Sequence, residues 1–484
     1  MDSLLDLNVW HILGKIFGDL SPPDFARCLA VCRKWNAALR EEIRTSSAFS
    51  NKRKFIEDEW IWMLRAIRLT PLTKYDELQG RRHFMGINGD LIYTLGLNVA
   101  VFWNVGDVLN ADRACFPHTI IRPRHSGFLA ANEELRILMV TRPTSDGITS
   151  TATEFTTPAI LVYDNEGRKK SEITDVEALL LDGDTFYVVQ MTTSGFGMDM
   201  DVVMELKMLN ADYDNAGSIH LRPICNLPLT RRDIRNPVSG PWESNVAICR
   251  RRFTFFMEGQ VELEDGNPFV LIYDTANNLT ILRKELPTTR YDQELRRIEH
   301  GQTNETFFAF VTRYGTDATN PRDFLNVHNA ESGNLLGEYH GVSMLPYHRY
   351  VLGKSKIVYV SFHFATMGPM TCHVLTMSED RGSLVETHRI HDSRQGLRPT
   401  DDMFHSKAFV GTRDRFLVLC DASGVVTVQD MDAEGKPRRV IYRQDNVEQY
   451  QGQRYNFQLE ALGEGNGGLL FFENVMGTAR LFTK

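Results

Sequence analysis

The sequence lacks the cysteine pattern of a secreted or metal-binding protein. Its seven cysteines are odd in number and scattered, and they include no Cys-x-x-Cys pair, so neither a disulfide framework nor a thiolate zinc site is expected. No run approaches about 18 consecutive apolar residues, and the segment Met1–Asp6 has none of the features of a signal peptide. We therefore expect an intracellular protein, in the cytoplasm, the nucleus or both.

Positive charge is also in short supply. Lys and Arg total 54 against 62 for Asp and Glu, which gives a formal net charge of −8 and an isoelectric point of about 6.0. An acidic chain is poorly suited to general binding of nucleic acid or of anionic membranes. Neither is expected as a partner.

Recognisable catalytic motifs are absent as well. The sequence contains no Gly-x-Ser-x-Gly elbow, no His-Glu-x-x-His zinc helix and no Walker-type phosphate loop. The glycine-rich run Gly463–Gly468 lies between two predicted strands, without a helix N-terminus to hold a phosphate, and is interpreted as a turn. We therefore predict that the chain is not an enzyme and needs no cofactor or metal.

Two further sets of side chains have the chemistry of a site but not its pattern. One is a pair of histidines with sulfur-containing residues between them: His363, Met367, Met370, Cys372 and His373. The other is two acidic pairs of the kind that glycoside hydrolysis requires: Asp182 with Asp184, and Asp199 with Asp201. We interpret the first set as ordinary surface or core residues and the second as solvated loop residues.

Residues 1–45 carry the clearest positive signal. Six apolar residues follow the spacing of one helical face, namely Val9, Ile12, Leu13, Ile16, Phe17 and Leu20. Ser21 can cap a second helix, with Pro22 at its first position and Asp24 completing a capping box. The apolar face of that helix is Phe25, Cys28, Leu29, Cys32 and Trp35. Because so short a segment cannot build a self-sufficient core, part of this surface is expected to bind a partner.

This N-terminal pattern resembles the F-box family. The resemblance is carried by Leu7-Asn8, Ile16-Phe17, Leu20, Asp24-Phe25 and Val31-Cys32-Arg33-Lys34-Trp35, with Asn8 standing where the family usually has proline. It implies that residues 1–45 dock on the SKP-type adaptor of a cullin–RING ubiquitin ligase. The residues expected to make that contact are Leu7, Leu13, Ile16, Phe17, Leu20, Leu29, Cys32 and Trp35. The alternative is a helical hairpin whose apolar faces pack on the rest of the chain.

Residues 46–80 are predicted to be a helical linker. Phe55, Ile56, Trp60, Met63, Leu64 and Ile67 fall at helical spacing, and Pro71 would end the helix. The basic run Asn51–Lys54 is interpreted as the solvated start of this helix, with a nuclear localisation signal as the alternative.

From residue 81 to the C-terminus the pattern is that of repeated β-hairpins. Short runs rich in Val, Ile, Phe and Tyr end in Asp or Asn, as in Ala100–Asn104, Ile160–Asp164 and Val270–Asp274. Eight such markers (residues 103, 163, 208, 273, 328, 376, 429 and 482) recur at a mean interval of about 54 residues, close to the repeat of four-stranded propeller blades. The Tyr-Asp endings resemble the Trp-Asp endings of WD repeats. We predict a mainly β protein in which a helical F-box precedes a seven- or eight-bladed β-propeller, with a different all-β assembly, such as two sandwiches, as the alternative.

Two arginine clusters are candidate substrate-binding residues. The first comprises Arg231, Arg232 and Arg235, and the second is the run Arg250, Arg251 and Arg252. Guanidinium groups on propeller loops suit phosphate or carboxylate groups of a peptide, although such arginines can equally pair with nearby acids.

Together these patterns predict the substrate-recognition subunit of a cullin–RING (SCF-type) ubiquitin ligase. The box would bind the adaptor, the propeller would bind an unknown target protein, and catalysis would belong to the assembled ligase. Two alternatives stay open: a propeller scaffold without ligase function, and a propeller hydrolase whose site has no recognisable motif.

Overall fold

The computed structural model describes the chain as short antiparallel strands joined by turns. The described residues are 17, 20, 28, 65–68, 84–88, 91–95, 99–104, 119–122, 126–132, 134–143, 156–194, 201–211, 219–229, 246–256, 259–260, 268–290, 293–315, 322–340, 350–361, 371–380, 382–391, 406–410, 414–420, 425–431, 439–443, 457–461, 468–473 and 478–483.

Within these residues, 34 strands form eight sheets, and each sheet is built on four antiparallel strands. Sheet 1 contains β2 (Phe84–Asn88), β3 (Leu91–Leu95), β4 (Ala100–Asn104) and β5 (Thr119–Ile121). Sheet 2 contains β6 (Ser126–Ala131), β7 (Leu135–Pro143), β8 (Thr156–Asp164) and β9 (Lys169–Ile173). Sheet 3 contains β10 (Val176–Asp182), β11 (Thr185–Ser194), β12 (Asp201–Ala211) and β13 (Ile219–Leu227). Sheet 4 contains β14 (Val246–Cys249), β15 (Arg252–Phe256), β17 (Phe269–Asp274) and β18 (Leu279–Glu285).

The second half of the chain repeats this plan with two additions. Sheet 5 contains β20 (Gln293–Thr303), β21 (Phe307–Tyr314), β22 (Arg322–Asn329) and β23 (Leu335–His340), and the short strands β16 (Gly259–Gln260) and β19 (Thr289–Arg290) pair with β20. Sheet 6 contains β24 (Tyr350–Leu352), β25 (Lys356–Ser361), β26 (Thr371–Met377) and β27 (Leu384–His391). Sheet 7 contains β28 (Ser406–Val410), β29 (Phe416–Cys420), β30 (Val425–Asp430) and β31 (Arg439–Arg443). Sheet 8 contains β32 (Phe457–Ala461), β33 (Gly468–Glu473), β34 (Thr478–Thr483) and β1 (Arg65–Arg68).

The eight sheets form a closed ring. The first strands of neighbouring sheets contact one another, in the pairs β10–β14, β14–β20, β24–β28 and β28–β32. The ring closes because β32 of sheet 8 also contacts β2 of sheet 1. First strands at the hub and fourth strands at the rim are the arrangement of a β-propeller. The structure therefore confirms the propeller, has eight blades in its described part, and excludes two sandwiches.

The core of the protein lies between the sheets. One apolar cluster joins sheets 3 and 4 around Phe253 and Leu206, and another joins sheets 4 and 5 around Ile272 and Phe310. Similar clusters join sheets 1 with 2, 2 with 3, 5 with 6, and 6 with 7. Because neighbouring sheets cover one another's faces, middle strands whose side chains are described bury most of them, as in Phe416–Cys420. This is why the sequence shows continuous apolar runs there rather than alternation.

The repeat seen in the sequence corresponds to one position in the blade. Each of the eight marker residues lies in the third strand of a different sheet, from Trp103 in β4 to Phe482 in β34. The predicted repeat is thereby confirmed, including its weaker copies.

The Asp or Asn that ends several third strands holds the following turn. In β8, the Asp164 carboxylate accepts hydrogen bonds from the backbone N–H groups of Glu166 and Arg168, at 3.1 and 2.8 Å. Asn329 binds the N–H groups of Glu331 and Ser332 in the same way, at 2.9 and 2.8 Å. A short polar side chain that accepts from the next amides is the chemistry of an Asx turn, and it explains why this residue type recurs at the end of the strand.

The prediction of a helical linker over 46–80 is wrong for four of its residues. Arg65–Arg68 is a strand, β1, which pairs antiparallel with β34 from Arg65↔Thr483 to Arg68↔Arg480. Strand pairing prevails over the helical spacing because the C-terminal hairpin presents an open edge whose backbone groups need partners. The propeller thus begins at residue 65 rather than 81, and the rest of the linker lies outside the described residues.

Candidate functional site

The structure describes three residues of the N-terminal segment. Phe17 is helical and only 3% exposed, so its side chain packs inside the chain. Leu20, at a bend, and Cys28, which is helical, are both half-buried. The other predicted adaptor contacts lie outside the described residues: Leu7, Leu13, Ile16, Leu29, Cys32 and Trp35. The described part therefore places one of the expected contacts in a core and leaves Leu20 partly accessible.

The propeller has two faces that differ in their connections. Alternating strand direction puts the turns between first and second strands, and between third and fourth strands, at one end of every sheet, here called the turn face. The remaining connections, including those from one sheet to the next, lie at the other end, here called the loop face. Third strands end at the turn face, and Thr483 is the last residue of β34, the third strand of sheet 8. Because Arg65, the first residue of β1, pairs with Thr483, β1 begins at the turn face. The N-terminal segment therefore joins the ring at the turn face, on the rim of sheet 8.

Polar contacts on the turn face tie each sheet to the next from sheet 1 to sheet 7. Between sheets 1 and 2, Thr119 Oγ1 donates to the Asn165 carbonyl. Between sheets 2 and 3, Asn132 Nδ2 donates to the Asp184 carbonyl at 2.6 Å. Between sheets 3 and 4, the Arg251 N–H donates to Asp182 Oδ2 at 3.0 Å. Arg250 and Glu305 connect sheets 4 and 5, and Asn304 Nδ2 donates to the Gly353 carbonyl at 2.8 Å. The last link is the Asp414 carboxylate, which accepts from the Ser355 N–H at 2.6 Å. We call this series the turn-face belt.

One buried cation supports this belt at its beginning. Arg136 is 2% exposed and lies over the Phe102 ring of sheet 1, with Cζ at 5.1 Å from the ring centroid. Its Nη1 donates to the carbonyls of Asn132 and Leu135, which shape the first turn of sheet 2. Burial lowers the pKa of Arg136 to about 10. Its role is to cap turn carbonyls and to pack between sheets 1 and 2.

The predicted arginine run Arg250–Arg252 forms the tip of the β14–β15 hairpin. Arg250 and Arg251 have φ angles of 48° and 62°, the left-handed values that a two-residue hairpin turn requires. The Arg251 carbonyl accepts hydrogen bonds from the Thr275 N–H at 3.0 Å and from Thr275 Oγ1 at 2.7 Å, which holds the turn against the next one in the same sheet. Asn-Gly is the usual sequence of such a turn, so these arginines gave no turn signal.

Two of the three side chains of this arginine run face acids. Arg250 Nη2 lies 2.6 Å from Glu305 Oε2, and Arg252 Nη2 lies 3.7 Å from Glu331 Oε1, so both reach from sheet 4 to sheet 5. Arg251 is exposed and forms no ion pair within the described residues. Arg250 and Arg252 therefore connect sheet 4 to sheet 5. Phosphate binding by the arginine run stays a prediction. Arg231, Arg232 and Arg235 lie outside the described residues.

The side chains considered for metal or hydrolytic chemistry have structural partners where they are described. Asp182 binds the Arg251 amide in the turn-face belt. The His373 ring stacks on Tyr359, with centroids 4.5 Å apart, and its Nδ1 lies 3.1 Å from Glu386 Oε1. Burial raises the pKa of Tyr359 to about 12. Within the described residues no three His, Cys, Asp or Glu side chains are grouped as metal ligands, and His363 and Asp199 lie outside them.

The loop face has additional structure over sheets 4 and 5. Strand β16, from the connection within sheet 4, pairs with the first strand of sheet 5 at Gly259↔Ile298. The crossing segment from sheet 4 to sheet 5 is held by Arg290, whose Nη2 lies 2.6 Å from Glu338 Oε2 and whose guanidinium lies over the Phe324 ring. Tyr314 adds a hydrogen bond to the Pro287 carbonyl at 3.1 Å. Among the described residues, this is where the loop face offers a rigid platform beside the hub.

Comparison with protein families identifies the N-terminal segment. The F-box-like family model matches residues 11–44. The chain carries an F-box-like segment ahead of a β-propeller. This confirms the resemblance read from the box motifs. No curated protein matches the sequence.

Several solved propellers are distantly similar. They include the Dos1 propeller (8% identity, TM-score 0.40, covering 84% of this chain and 96% of that one). The β-propeller domain of Cps50 (Swd1) from Myceliophteria thermophila has 8% identity and a TM-score of 0.36, covering 75% and 97%. BamB from Moraxella catarrhalis has 12% identity and a TM-score of 0.31, covering 83% and 84%. At these TM-scores the similarities carry no functional argument, and the assignment of the fold rests on the sheet order and the closure of the ring.

In the part of the chain that the structure describes, no helix is long and apolar enough to span a membrane.

Proposed function

We propose that this protein is the substrate-recognition subunit of a cullin–RING (SCF-type) ubiquitin ligase. The observation that supports the proposal most is the F-box-like match at residues 11–44 directly ahead of a closed propeller. The box would bind the SKP-type adaptor, and through it the cullin. Helix-in-groove docking of this kind takes its energy from a few buried apolar anchors.

The propeller would hold a target protein, and the loop face suits this role better than the turn face. The turns are bound to one another by the turn-face belt, and the N-terminal segment joins the ring on that side. On the loop face, the pairing of β16 with β20 and the contact between Arg290 and Glu338 would give a bound target a rigid base. A target on the loop face would thus lie on the opposite side of the ring from the attachment of the box.

In this role the chain supplies no reacting group. Ubiquitin transfer would be accelerated because the complex holds the target close to the transfer machinery. The complex would work in the cytoplasm, the nucleus or both.

A non-ligase scaffold is the second candidate, and one observation favours it. Phe17 is 3% exposed in the isolated chain, as expected if the N-terminal helices pack within the protein. The two candidates differ in whether the folded chain binds the adaptor.

The test is a binding titration of the purified full-length chain with purified SKP-type adaptor. Leu20→Asp is the informative variant because Leu20 is half-buried and partly accessible, whereas Phe17 is buried and a charge there would destabilise the fold itself. Leu279→Asp is the matched control, since Leu279 is 59% exposed on the rim of sheet 4. We expect the wild type and the control to bind alike, and Leu20→Asp to bind at least about tenfold more weakly.

Each outcome has a definite meaning. A folded wild-type chain that fails to bind the adaptor overturns the ligase proposal and leaves the scaffold. Equal binding by Leu20→Asp and Leu279→Asp would retain the adaptor as a partner but remove Leu20 from the contact.

A further inference from the structure

The third strand of sheet 5 buries a histidine against the core between sheets 4 and 5. His328, in β22, is the only histidine among the eight marker residues. It is 1% exposed, and its imidazole stacks on the Phe310 ring of that core with the centroids 5.9 Å apart. The centroid of the Phe308 ring lies 6.5 Å away. Because histidine has an ordinary pKa close to neutral pH, its burial makes this site sensitive to protons.

The two nitrogens of this imidazole have different surroundings. Nδ1 lies 3.0 Å from the carbonyl oxygen of Gly333, in the turn between β22 and β23. Because a carbonyl oxygen can only accept a hydrogen bond, Nδ1 carries the proton of the neutral imidazole. Nε2 is buried and has no hydrogen-bond partner within the described residues. A second proton, on Nε2, would therefore create a buried cation with an unsatisfied donor.

The surroundings of His328 favour its neutral form. Burial lowers the pKa of His328 below its ordinary value of 6.5, and the hydrogen bond to Gly333 offsets part of this effect. Two charged groups face the imidazole: Lys284, on β18 of sheet 4, lowers the pKa, and Glu338, on β23, raises it. Glu338 is itself bound by both terminal nitrogens of Arg290. The neutral imidazole therefore stabilises the fold above about pH 6.5, and this stabilisation is lost as the pH falls below that value towards the lowered pKa.

The turn that the imidazole holds lies against sheet 4. Gly333 has a φ angle of 74°, and a Cβ added there would lie 3.0 Å from Leu282 Cβ, on β18. Glu331, in the same turn, has its Oε1 3.7 Å from Nη2 of Arg252 in sheet 4. The hydrogen bond from His328 therefore fixes the end of the turn that contacts the neighbouring sheet.

The other end of the turn is held within sheet 5. The Ala330 N–H donates to the Thr306 carbonyl at 2.9 Å, in the turn between β20 and β21. This bond does not involve the imidazole. A movement of His328 would thus free the Gly333 end of the turn and leave the Ala330 end in place.

We propose that His328 is a proton-controlled latch at the junction between sheets 4 and 5. The neutral imidazole holds the Gly333 end of the β22–β23 turn against β18. The protonated imidazole leaves its apolar site and releases that end of the turn, while the propeller stays assembled. Release exposes Leu282 and separates Glu331 from Arg252, so that the rim of sheet 4 presents an apolar side chain and a guanidinium freed from its acid. The latch does not depend on adaptor binding.

The experiment is amide hydrogen exchange of the full-length chain at about pH 7.5 and about pH 5.5, corrected for the intrinsic effect of pH on exchange. Peptides that cover residues 329–335 report on the turn, and peptides that cover β17 are the internal reference. In the wild type we expect exchange in the turn to be several-fold faster at the lower pH, and at most about tenfold faster, because that pH is about one unit below the ordinary pKa. Exchange in β17 should stay unchanged, since a local opening leaves the reference strand folded.

His328→Asn is the decisive variant, because its side-chain amide can donate to the Gly333 carbonyl but does not titrate. His328→Phe keeps an aromatic ring at this position without a titrating group and is the second variant. His220→Asn is the matched control, since it removes an exposed histidine from β13 and leaves His328 in place. We expect the response of the turn to pH to persist in the control and to be lost in both His328 variants.

Three results would overturn the proposal. The first is exchange in the wild-type turn that does not respond to pH. The second is an equal acceleration in β17, which would mean that the whole propeller unfolds rather than the turn alone. The third is a pH response that persists in a folded His328 variant at the size measured for His220→Asn.

Discussion

At the scale of single residues, the junction between sheets 4 and 5 depends on a glycine that has no turn role. A Cβ added at Gly301 would lie 1.9 Å from Cε1 of Phe256, a side chain that is 3% exposed in the core between these sheets. Gly301→Ala must therefore displace Phe256 or the backbone of β20. We expect a loss of about 2 kcal/mol in the free energy of unfolding, measured by denaturant titration.

Gly382→Ala is the control for this substitution. A Cβ at Gly382 would meet its nearest neighbour, Asp380 Oδ2, at 3.6 Å, which is ordinary contact. Its stability should stay within about 0.5 kcal/mol of the wild type. Equal free energies of unfolding for the two variants would show that the Phe256 side chain can move aside without destabilising the fold.

At the scale of one element, the β8–β9 turn should make stability depend on pH. Burial alone would raise the pKa of Asp164, but hydrogen bonds from the Arg168 amide, the Arg168 guanidinium and Lys170 lower it to about 2. The pKa of Asp164 in the folded chain is thus below its ordinary value of 3.8, so the ionised carboxylate stabilises the folded state at any pH above about 4. This stabilisation is lost as the pH falls from about 4 to about 2.

The corresponding variant is Asp164→Asn, with unfolding followed in denaturant at pH 6 and again near pH 2.5. We expect the substitution to be destabilising at pH 6 and to cost clearly less near pH 2.5, where the wild-type carboxylate is already losing its charge. Glu166→Gln is the matched control. It removes an acid from the same turn but keeps Asp164, whose carboxylate accepts the hydrogen bonds from the turn amides. An Asp164→Asn penalty that is the same at both pH values would contradict the assignment.

At the scale of the whole molecule, the ring needs residues on the N-terminal side of its predicted boundary. A chain that begins at residue 65 keeps β1, whereas a chain that begins at residue 69 leaves the β34 edge without its partner. We expect the shorter chain to melt a few degrees lower and to expose the amides of β34 to exchange. The two chains differ by the four residues of β1, which makes the longer chain the control. Equal melting temperatures would mean that β1 adds nothing to the closure.

The periodic features of the fold could be predicted from the sequence because they depend on local chemistry repeated many times. Apolar third strands, an Asp or Asn at their ends and the interval of about 54 residues all follow from one blade plan, and each marker lies where that plan requires. The F-box-like segment was recognisable for a similar reason, since its motif is contained in one continuous stretch, residues 11–44.

Other features could not be predicted because they depend on which distant segments meet. Arg65–Arg68 becomes a strand only because β34 offers an open edge more than 400 positions away along the chain. Arg250 and Arg251 form a tight turn although neither is a usual turn residue, because Asp182 and Thr275 hold the backbone of Arg251 in place. The pairing of Arg250 with Glu305 and of Arg252 with Glu331 likewise follows from the approach of sheet 5 to sheet 4.

The sequence by itself determined that this protein has an F-box-like segment followed by repeated four-stranded units, since hydrophobic periodicity and turn chemistry act over a few residues. Only the tertiary structure decided the number of blades in the described part, the strand that closes the ring and the face of the ring at which that strand begins. These depend on contacts between sheets and on the meeting of residues 65–68 with residues 480–483. Such contacts join segments that are far apart in the sequence, and a local sequence pattern cannot predict which distant segments will meet.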